Sequence, residues 1–192
     1  PHGVAVSAGA LFVYDSGHFR VLVYNNPTAD FTADVVIGQS SMTSGAGATA
    51  SSTNVGSNEG ALALDGEGRL HVASGSQNRI LRFSPPFTNG MAADLVVGQP
   101  DFGSTAPATT ASGLNYPMAI AFDPAGNLLV ADFFNNRVLR YAAPLESAMA
   151  ATGVLGQINF TTATSGTSAT KFTTPIGLAF DAVGNLFVSE FE

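Results

Sequence analysis

Short apolar runs alternate with clusters of turn-forming residues along the whole chain. Between residues 119 and 155 there are four such runs: Ala119–Phe122, Leu128–Ala131, Val138–Tyr141 and Gly153–Leu155. Each is too short to stand as a helix and is rich in the Val, Leu, Ile and Phe that a pleated surface favours, so each is predicted to be a β-strand. The first two are joined by Asp123-Pro124-Ala125-Gly126-Asn127, residue types that build tight turns. The pattern predicts an antiparallel four-stranded meander.

This meander recurs. The stretch Pro117–Tyr141 (PMAIAFDPAGNLLVADFFNNRVLRY) reappears as EGALALDGEGRLHVASGSQNRILRF over Glu59–Phe83 and as PHGVAVSAGALFVYDSGHFRVLVY over Pro1–Tyr24. A shorter copy, PIGLAFDAVGNLFVSEFE, runs from Pro175 to Glu192. The starts at 59, 117 and 175 are 58 residues apart, and a second marker keeps step with them: Val36-Ile37-Gly38-Gln39, Val96-Val97-Gly98-Gln99 and Val154-Leu155-Gly156-Gln157. The predicted units are 1–58, 59–116, 117–174 and a partial 175–192. A four-stranded unit of this size cannot bury both of its faces alone, and stacking such units around an axis gives a β-propeller. Ala5, Ala63, Ala121 and Ala179 form a column of small residues in the first strand, as the crowded position nearest an axis requires. The expected fold is therefore an all-β propeller of four-stranded antiparallel blades, about three and a half of them in this chain.

The residues that repeat are Pro-x-Gly/Ala-x-Ala-x-Asp, Gly-Asn-Leu-x-Val-x-Asp/Glu and Asn-Arg-Val/Ile-x-Arg-Tyr/Phe. This signature resembles the NHL repeat, a blade motif of β-propellers, over all three complete periods and the partial fourth. The resemblance implies the fold and leaves the function open. The period here is longer than the usual repeat, with the surplus in Ala142–Thr152 and Ile158–Thr174. Phe102, Phe160 and Phe172 punctuate the connections between blades, so these are expected to be ordered. Three blades and a half leave an apolar edge unpaired. Two readings are open: the chain is a segment of a longer one, or copies of it associate through their unpaired blade edges.

Composition narrows the partners. Lys plus Arg total 7 against 14 Asp plus Glu, a formal net charge of −7, and Lys171 is the single lysine. Phosphate backbones and anionic membranes are bound through clustered positive charge, so nucleic acid is not expected as a partner. No apolar run approaches a membrane-spanning length, so membrane insertion is not expected either. With no Cys there is no disulfide framework, thiol nucleophile or cysteine zinc site. No Gly-x-Ser-x-Gly elbow and no phosphate-binding glycine loop occurs.

The expected partner face carries the loops between second and third strands, with His18, Phe19, Gln77, Asn78, Phe133, Phe134 and Asn135; Tyr116 is placed to join Phe133 and Phe134 in an aromatic patch. Asp15, Ser74, Asp132 and Glu190 close the second strands, and Arg20, Arg79 and Arg137 open the third. Asp15 with Arg20 and Asp132 with Arg137 are expected to pair across the loop. The alternative, an acidic ring holding calcium, needs more oxygens at one point than this column offers. Asp65, Asp123 and Asp181 are expected to cap hairpin turns. Pro1-His2-Gly3-Val4 resembles a motif of amidating and streptogramin-type lyases, and the resemblance implies that His2 faces the axial channel, where several such histidines hold zinc in the amidating lyases. The matching positions here are Gly60, Met118 and Ile176, which leaves one His where about three ligands are needed. Asn159-Phe160-Thr161 is an N-glycosylation acceptor pattern. The expected function is a non-enzymatic interaction or structural module that binds protein or glycan partners and is secreted or at the cell surface. The alternative is part of a metal-dependent propeller lyase or hydrolase.

Overall fold

The computed structural model describes residues 1–56 and 59–191. Its strands are β1 (Gly3–Ser7), β2 (Ala10–Asp15), β3 (Arg20–Tyr24), β4 (Val35–Ile37), β5 (Leu62–Leu64), β6 (Leu70–Ser74), β7 (Arg79–Phe83), β8 (Leu95–Val97), β9 (Pro117–Phe122), β10 (Leu128–Asp132), β11 (Arg137–Tyr141), β12 (Gly153–Leu155), β13 (Pro175–Phe180) and β14 (Leu186–Glu190). They form three four-stranded antiparallel meanders, β1 to β4, β5 to β8 and β9 to β12, and a two-stranded β13–β14 sheet. The chain has the β-propeller fold, with three complete blades and the inner half of a fourth.

Alternation along each strand gives every blade two apolar faces. In the first blade Val4, Val13, Leu22 and Val36 share one face by register. Phe12, Tyr14, Val21, Val23 and Ile37 lie on the other and pack on Leu62, Leu70, Val72, Leu81, Phe83 and Val96 of the second blade. The next seam repeats this with Ala73, Ile80, Leu95 and Val97 against Ile120, Leu128, Val130, Leu139 and Tyr141. The two outermost faces have no such cover: Val4 and Val6 are 66% and 70% exposed at one end and Phe187 is 60% exposed at the other.

The hairpin aspartates cap their turns as the residue types predict. One oxygen of Asp65, Asp123 and Asp181 accepts the backbone N–H groups two and four residues on, at 2.8 to 3.0 Å. The surplus between third and fourth strands also has a structural use. In the second blade it is a strap that reaches back to the first: Asn89 Oδ1 accepts the Val36 N–H and the Gly90 N–H donates to the Val36 carbonyl, both at 2.9 Å. Ser147 Oγ and the Ala148 N–H do the same to Val96 of the second blade, at 3.2 and 2.9 Å. An outer strand presents unpaired backbone groups, and here they are satisfied by the following blade.

A buried arginine ties the second and third blades together. The Arg137 Nε donates to Asp132 at 2.7 Å, its Nη1 to the Phe160 carbonyl at 2.5 Å, and its Nη2 to the carbonyls of Thr110 and Gly113, both at 2.9 Å. The three carbonyl acceptors lie on the crossovers that enter and leave the blade. Arg79 repeats the pattern, with its Nη1 on the Phe102 carbonyl and its Nη2 on Ser51, Asn54 and Gln77 Oε1. Ser74 stands where a carboxylate would be, and burial pushes the Arg79 pKa down to about 10. Arg20 meets Asp15 at 2.9 Å and the Met42 carbonyl at 2.6 Å, but has a single crossover to bind and is part-exposed. The Asp15–Arg20 and Asp132–Arg137 pairs are thus formed as expected. Burial pushes the Asp132 carboxyl up, against the pull of Arg137 and of donors from Asn115 and Asn135.

The second seam also encloses His71, which is fully buried on β6. Its Nε2 lies 3.0 Å from Asp65 Oδ2 and its ring meets the Phe122 ring edge-on, with centroids 4.7 Å apart. Nδ1 has no partner among the described residues. Burial pushes the imidazole pKa down, against the opposing pull of Asp65 and reinforced by Arg82 and Arg69. Burial alone would raise the Asp65 carboxyl, but the bonds from His71, Arg69 and the turn backbone hold it well below the usual carboxylate range.

Two outcomes follow for stability. Removing Arg137 leaves the buried Asp132 without its counter-charge and the crossover carbonyls without their donor, so Arg137→Met is expected to lower the urea-unfolding free energy by about 3–5 kcal/mol, whereas Arg20→Met costs about 1 kcal/mol. Equal losses would contradict the crossover tie. His71 stays neutral in the folded chain below the pH at which it takes a proton when unfolded, about 6.5. Its stabilising contribution is present above that pH and is lost as pH falls towards its depressed folded value. The stability difference between the parent and His71→Phe should therefore move against the parent between about pH 7 and 5; parallel curves would show that His71 does not titrate in this way.

Candidate functional site

The second-to-third-strand loops of the complete blades are single 3₁₀ turns, Ser16–His18, Gly75–Gln77 and Phe133–Asn135. Each ends on a left-handed residue, Phe19, Asn78 or Asn136, with φ of 56°, 53° and 50°. Asn tolerates this conformation and here also uses its amide. Asn78 donates to the Thr105 carbonyl at 2.8 Å and accepts the Tyr116 N–H at 2.7 Å. Asn136 likewise donates to Ala163 and accepts the Thr174 N–H, at 2.9 and 2.8 Å. These two loops are thereby fastened to the departing crossover and to the start of the next inner strand. The glutamines that follow the outer strands complete the fastening: Gln39, Gln99 and Gln157 donate to Phe19, Asn78 and Asn136 carbonyls and to a crossover carbonyl seven residues on.

This separates the seven residues expected on the partner face into two groups. Gln77, Asn78 and Asn135 are buried. Gln77 bonds Asn54 and Arg79, and Asn135 bonds Ala108, Asp132 and Thr109, so their polar atoms serve the loop and its crossover. His18, Phe19, Phe133 and Phe134 are at least partly open to solvent. His18 Nδ1 lies 3.0 Å from the Asp15 carboxylate, and burial raises the Asp15 carboxyl less than the His18 and Arg20 contacts lower it. The Phe19 ring packs over Gly47, where a Cβ would come within 3.0 Å of it.

Phe133, Phe134 and Tyr116 come together as expected. Their ring centroids are 4.8 Å apart for Phe133–Phe134, 5.2 Å for Tyr116–Phe134 and 6.1 Å for Tyr116–Phe133, all tilted or edge-on. Phe134 is 53% exposed. The equivalent loop positions are Ser16-Gly17 and Gly75-Ser76 in the other complete blades, so the aromatic platform belongs to one sector of the ring. Burial and the nearby charge of Glu59 push the Tyr116 phenol up. Nothing in the sequence marks Glu59, which opens its repeat where the neighbouring repeats have Pro117 and Pro175; its closeness to Tyr116 is a product of blade packing.

Between the crossovers of this face lie two grooves of about 380 Å³ each at equivalent positions. One is lined by Ser40, Ser51, Thr53 and Asn54, the other by Ser104, Thr110 and Ser112. Their linings are neutral and rich in hydroxyl groups. Asn159 is exposed on the next crossover, and its Oδ1 accepts the Thr161 N–H at 2.9 Å. Among the described residues no group of three or more His, Asp or Glu side chains is gathered to hold a metal. His2 is exposed, and its column continues as Gly60, Met118 and Ile176, a set that does not fit a zinc centre of several histidines. Among the described residues no helix is long and apolar enough to cross a membrane.

No family model matches the chain, and no curated protein matches it. Among solved structures it is similar to virginiamycin B lyase from Staphylococcus aureus, at 14% identity over 99% of this chain and 48% of that one, with a TM-score of 0.58. It is similar to an auxiliary nutrient binding protein from Bacteroides thetaiotaomicron at 15% identity, over 97% and 44% of the two chains, with a TM-score of 0.64. A protein of unknown function from the same organism matches at 13% identity over 98% and 44%, with a TM-score of 0.65. The chain spans about half the length of these structures. At such identities the likeness is one of fold, and it agrees with the blades described above: the chain is about three and a half blades of a β-propeller.

Proposed function

We propose that this chain is part of an NHL-type propeller, with blades at 1–58, 59–116, 117–174 and 175–192, that acts as a non-enzymatic binding module. Its partner, a protein or a glycan, docks on the face formed by the 3₁₀ turns and crossovers. Phe134 carries this reading. A large apolar side chain held outward by two other rings gains little for the fold, and such patches mark contact sites. Tyr116 and Phe133 support it from behind, and Glu59 adds an acceptor at its edge. His18 and Phe19 lie on the same face two repeats away, and the hydroxyl-lined grooves lie between the crossovers of that face. The acidic charge and the scarcity of Lys disfavour nucleic acid, and the Asn159 acceptor pattern on an exposed crossover suits a secreted or surface protein. The exposed apolar faces of the first and last blades support closure of the ring, by further blades or by another copy of the chain.

The reading is tested by probing a glycan array and an immobilised panel of extracellular proteins with the parent and with Phe134→Ala. Loss of a buried aromatic contact costs about 2 kcal/mol or more, so retention on the cognate partner should fall about tenfold or more. Phe31→Ala, on an exposed residue elsewhere, should leave it unchanged. Retention that is indifferent to Phe134 would set the assignment aside.

A further inference from the structure

The two complete seams between blades differ on the side of the ring opposite the 3₁₀ turns. In the first seam the Phe12 ring meets Phe87 edge-on, with centroids 5.2 Å apart, and the pair plugs the gap between the hairpin turn and the strap. The same repeat positions in the second seam are His71 and Leu145. His71 turns to Phe122, and a cavity of about 440 Å³ opens, lined by Asp65, Glu67, Arg69 and Arg82 from the second blade and by Phe122 and Leu145 from the third, with Pro144 beside them. In the first blade the positions of Asp65, Arg69 and Arg82 are Ser7, Ala10 and Val23. One seam is thus filled and apolar, and the other is hollow and charged.

The hydrogen bonds show which of these charges are already used. Asp65 is saturated: Oδ1 accepts the N–H groups of Glu67 and Arg69, and Oδ2 accepts Arg69 Nε at 2.7 Å and faces His71 at 3.0 Å. Arg69 Nη1 also pairs with Glu67 Oε2 at 3.0 Å. Arg82 Nε donates to Asp94 at 2.6 Å. Among the described residues nothing meets the two Nη groups of Arg82, the Nη2 of Arg69 or the second oxygen of Glu67. The cavity therefore offers guanidinium donors from Arg69 and Arg82, the Glu67 carboxylate beside Arg69, and an apolar surface from Phe122 and Leu145. Two acids and two bases make the lining formally neutral, so neither a simple anion nor a simple cation is favoured by the whole.

We propose that this cavity is a binding site for a zwitterionic amino acid with an apolar side chain. The ligand carboxylate is met by the guanidinium forks of Arg82 and Arg69, a geometry that suits planar paired acceptors. Its ammonium is met by Glu67, and its side chain lies on Phe122, Pro144 and Leu145. This site is separate from the aromatic face, and either assignment can fail without the other.

The test is an NMR titration of the isotope-labelled chain with L-leucine, with 4-methylpentanoate, which lacks the ammonium, and with 3-methylbutylamine, which lacks the carboxylate. Leucine is expected to give saturable shifts at the residues lining the cavity, about tenfold tighter than either analogue. Leu145→Phe, which restores the residue type that plugs the first seam, and Arg82→Met should each weaken leucine binding about tenfold or more. Absence of saturable leucine shifts, equal binding to parent and Leu145→Phe, or an analogue that binds as tightly as leucine would overturn the proposal.

Discussion

A guanidinium group carries five N–H donors and cannot give up its charge within the protein. Burying one is costly unless its donors find acceptors. Arg79 and Arg137 are fully buried, and most of their acceptors are main-chain carbonyls of the crossovers on either side of each blade. The rest of the loop face depends on this arrangement. The crossovers are rich in small polar residues and have little apolar surface to hold them down, so the arginine replaces a hydrophobic core as their anchor. Val55, Leu114 and Phe172 add one apolar contact each, over Gly38, Gly98 and Gly156, where a Cβ would come within 2.4 to 2.6 Å of them. The aromatic platform and the grooves between crossovers rest on loops fixed in this way.

The seams below that face obey a simpler rule. Each blade has two apolar faces, and the ring is built by laying the face of one on the face of the next. Where the repeat keeps apolar residues in these columns, as with Phe12 and Phe87, ring packs on ring across the seam. Where it places His71 in the column of Phe12 and Arg82 in that of Val23, polar groups must be paired inside the seam. Asp65, which caps its hairpin turn as Asp123 and Asp181 cap theirs, then takes a second task as the partner of His71 and Arg69. The charged cavity follows from that substitution, because Leu145 is too short to fill what Phe87 fills.

Periodicity made the blades, their strand order and the Asp–Arg pairs legible in the sequence, since these depend on spacing inside one repeat. The split among the loop residues was not. Gln77, Asn78 and Asn135 are polar and sit in loops, which reads as a partner face, yet their amides are directed to crossovers 23 to 38 positions away. A pairing of that kind depends on which segment lies alongside, and that is settled by blade packing. The surplus between third and fourth strands could be located from the repeat length but not interpreted. Its role needs the knowledge that the outer strand of the preceding blade runs within reach of Asn89 and Ser147.

The straps give the ring a direction. A blade's outer strand is sealed by residues that come about 50 positions later in the chain, so during synthesis every blade emerges with a bare rim and is finished only when its successor folds. Growth from the N-terminus therefore always presents one adhesive margin, and it advances along the chain with the ribosome. A protein built in this way has reason to favour rapid completion of consecutive sectors, and a pause between them would be the moment at which wrong strands could add to the exposed rim.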